Sequence, residues 1–321
     1  MTTPTRTALA ALSAAGAVGV AAGVWGVGIE RYLFTVRRHD LQVLPFGSPS
    51  VTVLHLSDAH MAPWQHRKQR WIAGVAEAVQ PDLVINTGDN LGHERGLDGI
   101  RDAFAPLRGV PGFVVHGSND KVAPSGRNPF KYFTGPSHHP VFAPSLDVDA
   151  LDDYLAGLGL TLLDNTAASL VVGNLRIDAL GVDDAHREWD DLDAAEAAYE
   201  SLPDTDAPRL RLGITHAPYR RVLDRFTRTG VDMIFGGHTH GGQVRIPFAK
   251  KALVANCDIP LDQARGLSTW THAGRRVPLN VSAGLGHSIY APVRFGCLPE
   301  ASVLTLRARA AADSSERPST G

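Results

Sequence analysis

The run Val51-Thr52-Val53-Leu54-His55-Leu56-Ser57 is apolar and rich in β-branched residues, and it stops at Asp58-Ala59-His60. The pattern occurs twice more. Residues 82–87 form a second apolar run that ends in Gly88-Asp89-Asn90, and Phe113-Val114-Val115-His116 ends in Gly117-Ser118-Asn119-Asp120. Between these runs, residues 66–80 carry Trp71, Ile72, Val75, Ala76 and Val79 at helical spacing, with Pro81 as the stop, and residues 97–107 read as another helix. Alternating strands and helices predict an α/β chain, and open α/β sheets place their sites at the carboxyl ends of strands. Each unit delivers an oxygen or an imidazole to that end.

The second half repeats the arrangement. Leu210-Arg211-Leu212-Gly213-Ile214 ends in Thr215-His216-Ala217-Pro218, followed by a helix over 219–228. The buried run Val231-Asp232-Met233-Ile234-Phe235 then opens into Gly236-Gly237-His238-Thr239-His240-Gly241-Gly242. Taken alone, this is either a Gly-rich turn with two polar residues or a pair of metal ligands. An extended backbone would send both imidazoles to the same side. Elsewhere the pattern predicts a short helix over 149–157, strands at 161–164, 168–172 and 175–180 with Gly173-Asn174 as a turn, and an acidic helix over 190–201. Residues 244–246 read as a continuation of the sheet, 247–278 give no assignment, 279–282 lead into Gly284-Leu285-Gly286-His287, and 301–306 form a last strand. The Pro-, Gly- and aromatic-rich segment 121–144 reads as a long loop that covers the site or touches a membrane or lipid chain.

Residues 8–29 contain no charge, and their length suffices to cross a hydrocarbon core. A retained anchor and a cleaved export signal both fit. Trp25 and Tyr32 at interfacial positions, and a stretch longer than a signal core, favour a single-pass anchor in the cell membrane. The expected organisation is an anchor and linker over 1–44, a catalytic domain over 45–307 and a disordered tail over 308–321. Formal net charge is −2 with no long basic block, which argues against nucleic acid as a partner. Cys257 and Cys297 form no CxxC motif, so neither a disulfide scaffold nor a thiolate zinc site is expected.

The strand-end residues Asp58, His60, Asp89, Asn119, His216, His238 and His240 supply carboxylate, imidazole and amide donors without sulfur. Such a set suits two divalent ions of the Mn, Fe or Zn type better than a tetrahedral structural zinc. Phosphate esters are the substrates that such a site would bind and polarise. In their order, Asp58-x-His60, Gly88-Asp89, Gly117-Ser118-Asn119-Asp120, His216 and Gly237-His238-x-His240 resemble the five blocks of the calcineurin-like metallophosphoesterases. The Gly237-His238-Thr239-His240-Gly241-Gly242-Gln243 form and the later Gly284-Leu285-Gly286, Pro292-Val293-Arg294 and Pro299-Glu300 blocks are similar to the family's membrane-associated bacterial phosphodiesterase branch. The resemblance implies two stacked mixed sheets flanked by helices, a four-layer sandwich. It also implies that Asp58, His60 and His240 hold one metal, that Asn119, His216 and His238 hold the other, and that Asp89 bridges them.

One block departs from the family pattern. Where the family usually carries Gly-Asn-His followed by an acid, this chain has Gly117-Ser118-Asn119-Asp120, so the histidine that usually protonates the leaving group is missing. With Asn119 as ligand, Asp120 falls at that position, either as an acid of raised pKa or as a hydrogen-bonding residue. With the register set by the glycine, Ser118 replaces the ligand instead. Asn90 reads as a phosphate contact or a turn former. Arg294 and His287 are candidates to touch substrate, whereas His55 and His116 read as buried and hydrogen-bonded. His66, His93, His138, His139, His186 and His272 read as solvated. The expected activity is hydrolysis of a small or lipid-linked phosphodiester or pyrophosphate. The alternatives are a phosphomonoesterase or protein phosphatase, and a non-catalytic binding or scaffold module on the same fold.

Overall fold

The structure, a computed structural model, describes residues 4–124, 145–249 and 251–310. Among the described residues, twelve strands build two sheets. They are β1 (Thr35–Leu44), β2 (Val51–Leu56), β3 (Leu83–Asn86), β4 (Gly112–Val114), β5 (Leu160–Leu162), β6 (Thr166–Val172), β7 (Leu175–Val182), β8 (Arg209–Thr215), β9 (Met233–Gly236), β10 (Gly266–His272), β11 (Arg275–Val281) and β12 (Glu300–Ala308). The strand orders are β1-β12-β2-β3-β4-β5 and β10-β11-β9-β8-β7-β6. In the first sheet β2 to β5 run parallel, as do β7, β8, β9 and β11 in the second. Antiparallel pairs β12–β2, β6–β7 and β10–β11 make both sheets mixed.

The alternation within each strand explains the layering. Val51 and Val53 of β2 face the second sheet, where they meet a core containing Ile177, Leu212, Ile214 and Phe235. Leu54 and Leu56, on the other face of the same strand, pack on Ile72 and Val75 of α2 (His66–Val79) and on Ile100 and Phe104 of α3 (Gly96–Phe104). The second sheet does the same, burying Leu180, Val182 and Leu279 against Val222, Leu223 and Phe226 of α5 (Arg220–Thr229). Helices, sheet, sheet and helices therefore form four layers. Strands buried on both faces read as continuous apolar runs, which is why the sequence revealed them. Each fully buried Leu, Ile or Phe contributes about 1.5–3 kcal/mol.

Three expectations need correction. Residues 41–44 are not linker, because β1 pairs in parallel with β12 from Thr35↔Glu300 to Leu44↔Ala308, so the segment drawn as anchor and linker over 1–44 adds an edge strand to the folded unit. Residues 244–246 do not extend a sheet; only Val244 makes an isolated bridge, to Phe295. The unassigned region contains the β10–β11 hairpin, whose exposed outer face dilutes the apolar pattern. The long loop falls outside the described residues over 125–144, as does the tail over 311–321.

A helix α1 (Pro4–Val24) precedes this unit, and the apolar stretch from Ala8 to Tyr32 is long enough to span a bilayer, its most apolar part exposed and only Gly26 and Glu30 near its end buried. Its end is tied down. The Arg294 amide donates to the Gly26 carbonyl at 3.1 Å, and the Cys297 amide donates to Glu30 Oε1 at 2.7 Å. Glu30 also accepts from the Trp25 indole at 2.7 Å.

Candidate metal centre

The two sheets bring their strand ends to one place. The loops after β2 and β3 run side by side, with the amides of Asp58, His60 and Met61 donating to the carbonyls of Gly88, Asp89 and Asn90 at 2.7–2.9 Å. The loop after β4 closes over them through α4 (Ser118–Lys121). Gly117 is required there, since a side chain would collide with the Asp89 carboxylate and the His216 ring. The Gly237 amide donates to the His216 carbonyl at 2.8 Å, joining the loops after β8 and β9.

Asp58, His60, Asp89, His238 and His240 all adopt positive φ, between 39° and 64°, a region that non-glycine residues seldom occupy. Five strained residues in one cluster mark a site held by its surroundings. This geometry also overturns the expectation for the histidine pair. His238 and His240 are not extended, and their rings go to different partners. His240 Nε2 lies 3.1 Å from His60 Nε2 and 3.6 Å from Asp58 Oδ1, whereas His238 Nδ1 lies 3.3 Å from His216 Nε2.

Asp89 stands between the two groups. Its Oδ2 lies 3.4 Å from His60 Nε2 and 3.6 Å from His216 Nε2. Two sets of donors, Asp58-His60-His240 and Asp58-Asp89-His216, each converge closely enough to hold one cation. The donor chemistry fits a metal. Buried Asp58 Oδ1 has no hydrogen-bond partner, while Oδ2 accepts from the Ser57 hydroxyl at 2.5 Å and the His238 amide at 3.0 Å. Burial lowers the pKa of His60 to about 4, the neighbouring Asp89 charge offsetting it only in part, so its ring is a neutral lone-pair donor. Burial drives His238 and His240 well below their ordinary value. The His216 Nδ1 donates to the Thr87 carbonyl at 2.7 Å, leaving Nε2 as the donor atom. Burial alone would lower His216, but Asp89, Asp184 and Asp58 outweigh it and raise its pKa to about 9, a surplus of negative charge that a cation would neutralise.

Asn119, not Ser118, sits beside Asp89. Its backbone amide donates to Asp89 Oδ1 at 2.8 Å and its Nδ2 to Oδ2 at 2.7 Å, while the Ser118 amide turns away to Asp184 at 3.0 Å. Rotating the Asn119 amide would present its oxygen to the cluster. Of the two roles open to Asp120, its contacts match the hydrogen-bonding one. Its Oδ1 accepts from the amides of Asn90 and Leu91 and its Oδ2 from those of Asp89 and Gly117, at 2.7–3.3 Å. A fully buried carboxylate receiving four backbone donors clamps the two loops together and has no free edge for a leaving group.

Arg294 and His287 do not line an open face. Arg294 is fully buried and donates to the carbonyls of Ala283, Gly284 and Gly286 at 2.5–3.1 Å, with Nη2 3.3 Å from His240 Nδ1. His287 Nδ1 faces the Ser288 carbonyl at 3.0 Å. His55 and His116 are buried as expected, the latter between Asp152 and Asp164 at 2.8 Å each. His186 was read as solvated, yet its ring lies 4.4 Å from that of His238 and its Nδ1 lies 3.0 Å from the Tyr219 hydroxyl. Asn256, from the unassigned segment, places its carbonyl 3.1 Å from His238 Nε2. Neither residue belongs to a motif, and only the three-dimensional fold brings them in.

A four-layer sandwich with carboxylates and imidazoles gathered at its strand ends defines a metal-dependent phosphoesterase. Residues 51–242 match the calcineurin-like phosphoesterase family, and the chain belongs to it. Phosphodiesterase YaeI of Escherichia coli (strain K12) is 24% identical over 279 residues, covering 85% of this chain and 88% of YaeI. An uncharacterised metallophosphoesterase of Aquifex aeolicus is 25% identical over 219 residues, covering 67% and 72%. Among solved structures, the NAD nucleotidase of Haemophilus influenzae aligns over 74% of this chain and 51% of its own, at 10% identity and a TM-score of 0.42. The protein is a hydrolase of phosphoester bonds.

Proposed function

We propose that the protein is a membrane-anchored phosphodiesterase that holds two divalent cations and hydrolyses a small or lipid-linked phosphodiester. The observation that carries this reading is the position of Asp89, whose one oxygen lies within 3.6 Å of a histidine from each donor group. Asp58, His60 and His240 would hold one cation, and His216, His238 and Asn119 the other, with Asp89 shared. Bound there, paired divalent ions of the Mn, Fe or Zn type polarise phosphoryl oxygens and lower the pKa of water.

The remaining steps fall to the chain itself. Arg294 and the Thr87 carbonyl fix the rings of His240 and His216. Asn90 Oδ1 accepts from Asn86 at 2.8 Å, which leaves its buried Nδ2 without a partner and suited to a phosphoryl oxygen. With Asp120 committed to backbone amides, its carboxyl is not free to protonate the departing oxygen, which favours esters with good leaving groups, pyrophosphate types included. The resemblance to a relative named phosphodiesterase supports a diester over a monoester.

The test uses the full-length chain in detergent, because truncation at residue 45 would remove β1. With Mn²⁺ added, bis-p-nitrophenyl phosphate should be cleaved faster than p-nitrophenyl phosphate, and Asp89→Ala should lower turnover by about 10³-fold. Equal rates for the wild type and Asp89→Ala would instead leave a binding module on a phosphoesterase fold.

A further inference from the structure

The end of the anchor and the rim of the metal centre share one piece of structure. Residues 243–249 and 288–295 form two loops joined to each other: the Arg245 amide donates to the Phe295 carbonyl at 2.7 Å, the Phe295 amide to Gln243 at 3.0 Å, and Gln243 Nε2 to Ala291 at 2.9 Å. The second loop is joined in turn to the anchor, where a side chain at Gly26 would collide with the Arg294 carbonyl and the Val293 methyl. The same Arg294 that donates its amide to Gly26 places its guanidinium against His240. One residue spans from helix end to donor cluster.

These loops carry large apolar side chains that are exposed. Phe248 is fully exposed, Ile246 is 59% exposed and Tyr290 55%. Phe248 also sits at a φ of 65°, where a bulky residue is rarely found. Scattered exposed apolar residues are ordinary. Here they lie on one hydrogen-bonded loop pair that continues into the exposed Trp25, Val27 and Ile29 of the anchor's last turns. Aromatic and aliphatic side chains beside a membrane span are what the boundary between headgroups and acyl chains accepts.

We infer that the 243–249 and 288–295 loops lie on the bilayer that the anchor enters, so that the metal centre is held at the lipid surface rather than at the end of a free tether. This rests on the reading of residues 8–29 as a retained span. The occupant is the lipid boundary itself, because the loops are fixed to the segment that emerges from it. The active site then meets membrane-borne phosphodiesters without their leaving the bilayer.

The experiment places a nitroxide at Phe248→Cys, at Tyr290→Cys and, as a control, at Val171→Cys, each in the full chain carrying Cys257→Ser; Cys297 is fully buried. Val171 pairs with Arg176 at the start of β7, the end of the sheet opposite the metal centre. The labelled proteins are reconstituted in vesicles of phosphatidylethanolamine and phosphatidylglycerol, and turnover of bis-p-nitrophenyl phosphate confirms that each is folded. The oxygen-to-nickel-chelate accessibility ratio should be several-fold higher at 248 and 290 than at 171. Equal ratios at all three positions, with the protein resistant to carbonate extraction, would overturn the inference and leave the anchor intact. Low access to both reagents at 248 and 290 would assign the face to a second protein copy and also overturn it. Release by carbonate would overturn the anchor reading, and the inference with it.

Discussion

In the half of the cluster formed by Asp58, His60 and His240, every donor is an ionisable side chain held at positive φ, and the two ring nitrogens already point at one spot 3.1 Å apart. The half formed by His216, His238 and Asn119 is assembled by borrowed support. His216 depends on the Thr87 carbonyl, His238 sits against Asn256 and His186, and Asn119 faces Asp89 through its nitrogen. On the proposed two-cation reading, the first half is preformed, and the second would be completed by a neutral amide that must turn before it can coordinate. A weaker donor and softer positioning would then make the second site the first to lose its cation.

Substitution should expose this asymmetry. His240→Ala removes a donor from the preformed half and should lower kcat on bis-p-nitrophenyl phosphate by about 10³-fold, whereas Asn119→Ala should cost about 10- to 100-fold and be partly recovered by raising Mn²⁺. Equal losses, neither responsive to metal, would erase the distinction.

The support under the weaker half should show in stability rather than in chemistry. Asp120→Asn turns one accepting oxygen into a donor that faces backbone amides, and chemical denaturation should show a loss of about 2–3 kcal/mol. Among aryl methyl phosphodiesters, the dependence of rate on leaving-group pKa should match that of the wild type. A steeper dependence in the variant would restore Asp120 as the proton donor.

A smaller effect is expected at His116, which lies just ahead of the Asn119 turn. Burial pushes its pKa down, but the neighbouring carboxylates of Asp152 and Asp164 outweigh this and raise it to about 10. A pKa raised in the folded state contributes stability in full below the ordinary value of 6.5, and that contribution disappears as pH climbs through about 10. The stability gap between the wild type and His116→Gln should therefore be about 2 kcal/mol near pH 6 and should shrink towards pH 10. A gap that widens with pH would refute the charged assignment.

The parts legible in the sequence were those with a one-dimensional signature. Strands β2, β3, β8 and β9, buried on both faces, showed as apolar runs, and the donors at their ends fell into the order of a known family. The β10–β11 hairpin was hidden because its strands are only partly buried and its Pro278 breaks the pattern. β1 was lost because exposed positions alternate along an edge strand whose partner lies at the far end of the chain. The side chains left open or misplaced were those whose roles depend on contacts distant in sequence. Asp120 carries no mark that distinguishes a proton donor from an acceptor of amides, and His186 acquires its place only when the loop after β7 reaches His238.

Metal content tests the central claim most directly. The full-length protein, stripped with a chelator, reloaded with Mn²⁺ and desalted, should retain about two equivalents per chain by plasma mass spectrometry, and Asn119→Ala about one. Retention of no metal by the wild type, with turnover indifferent to the chelator, would contradict the account.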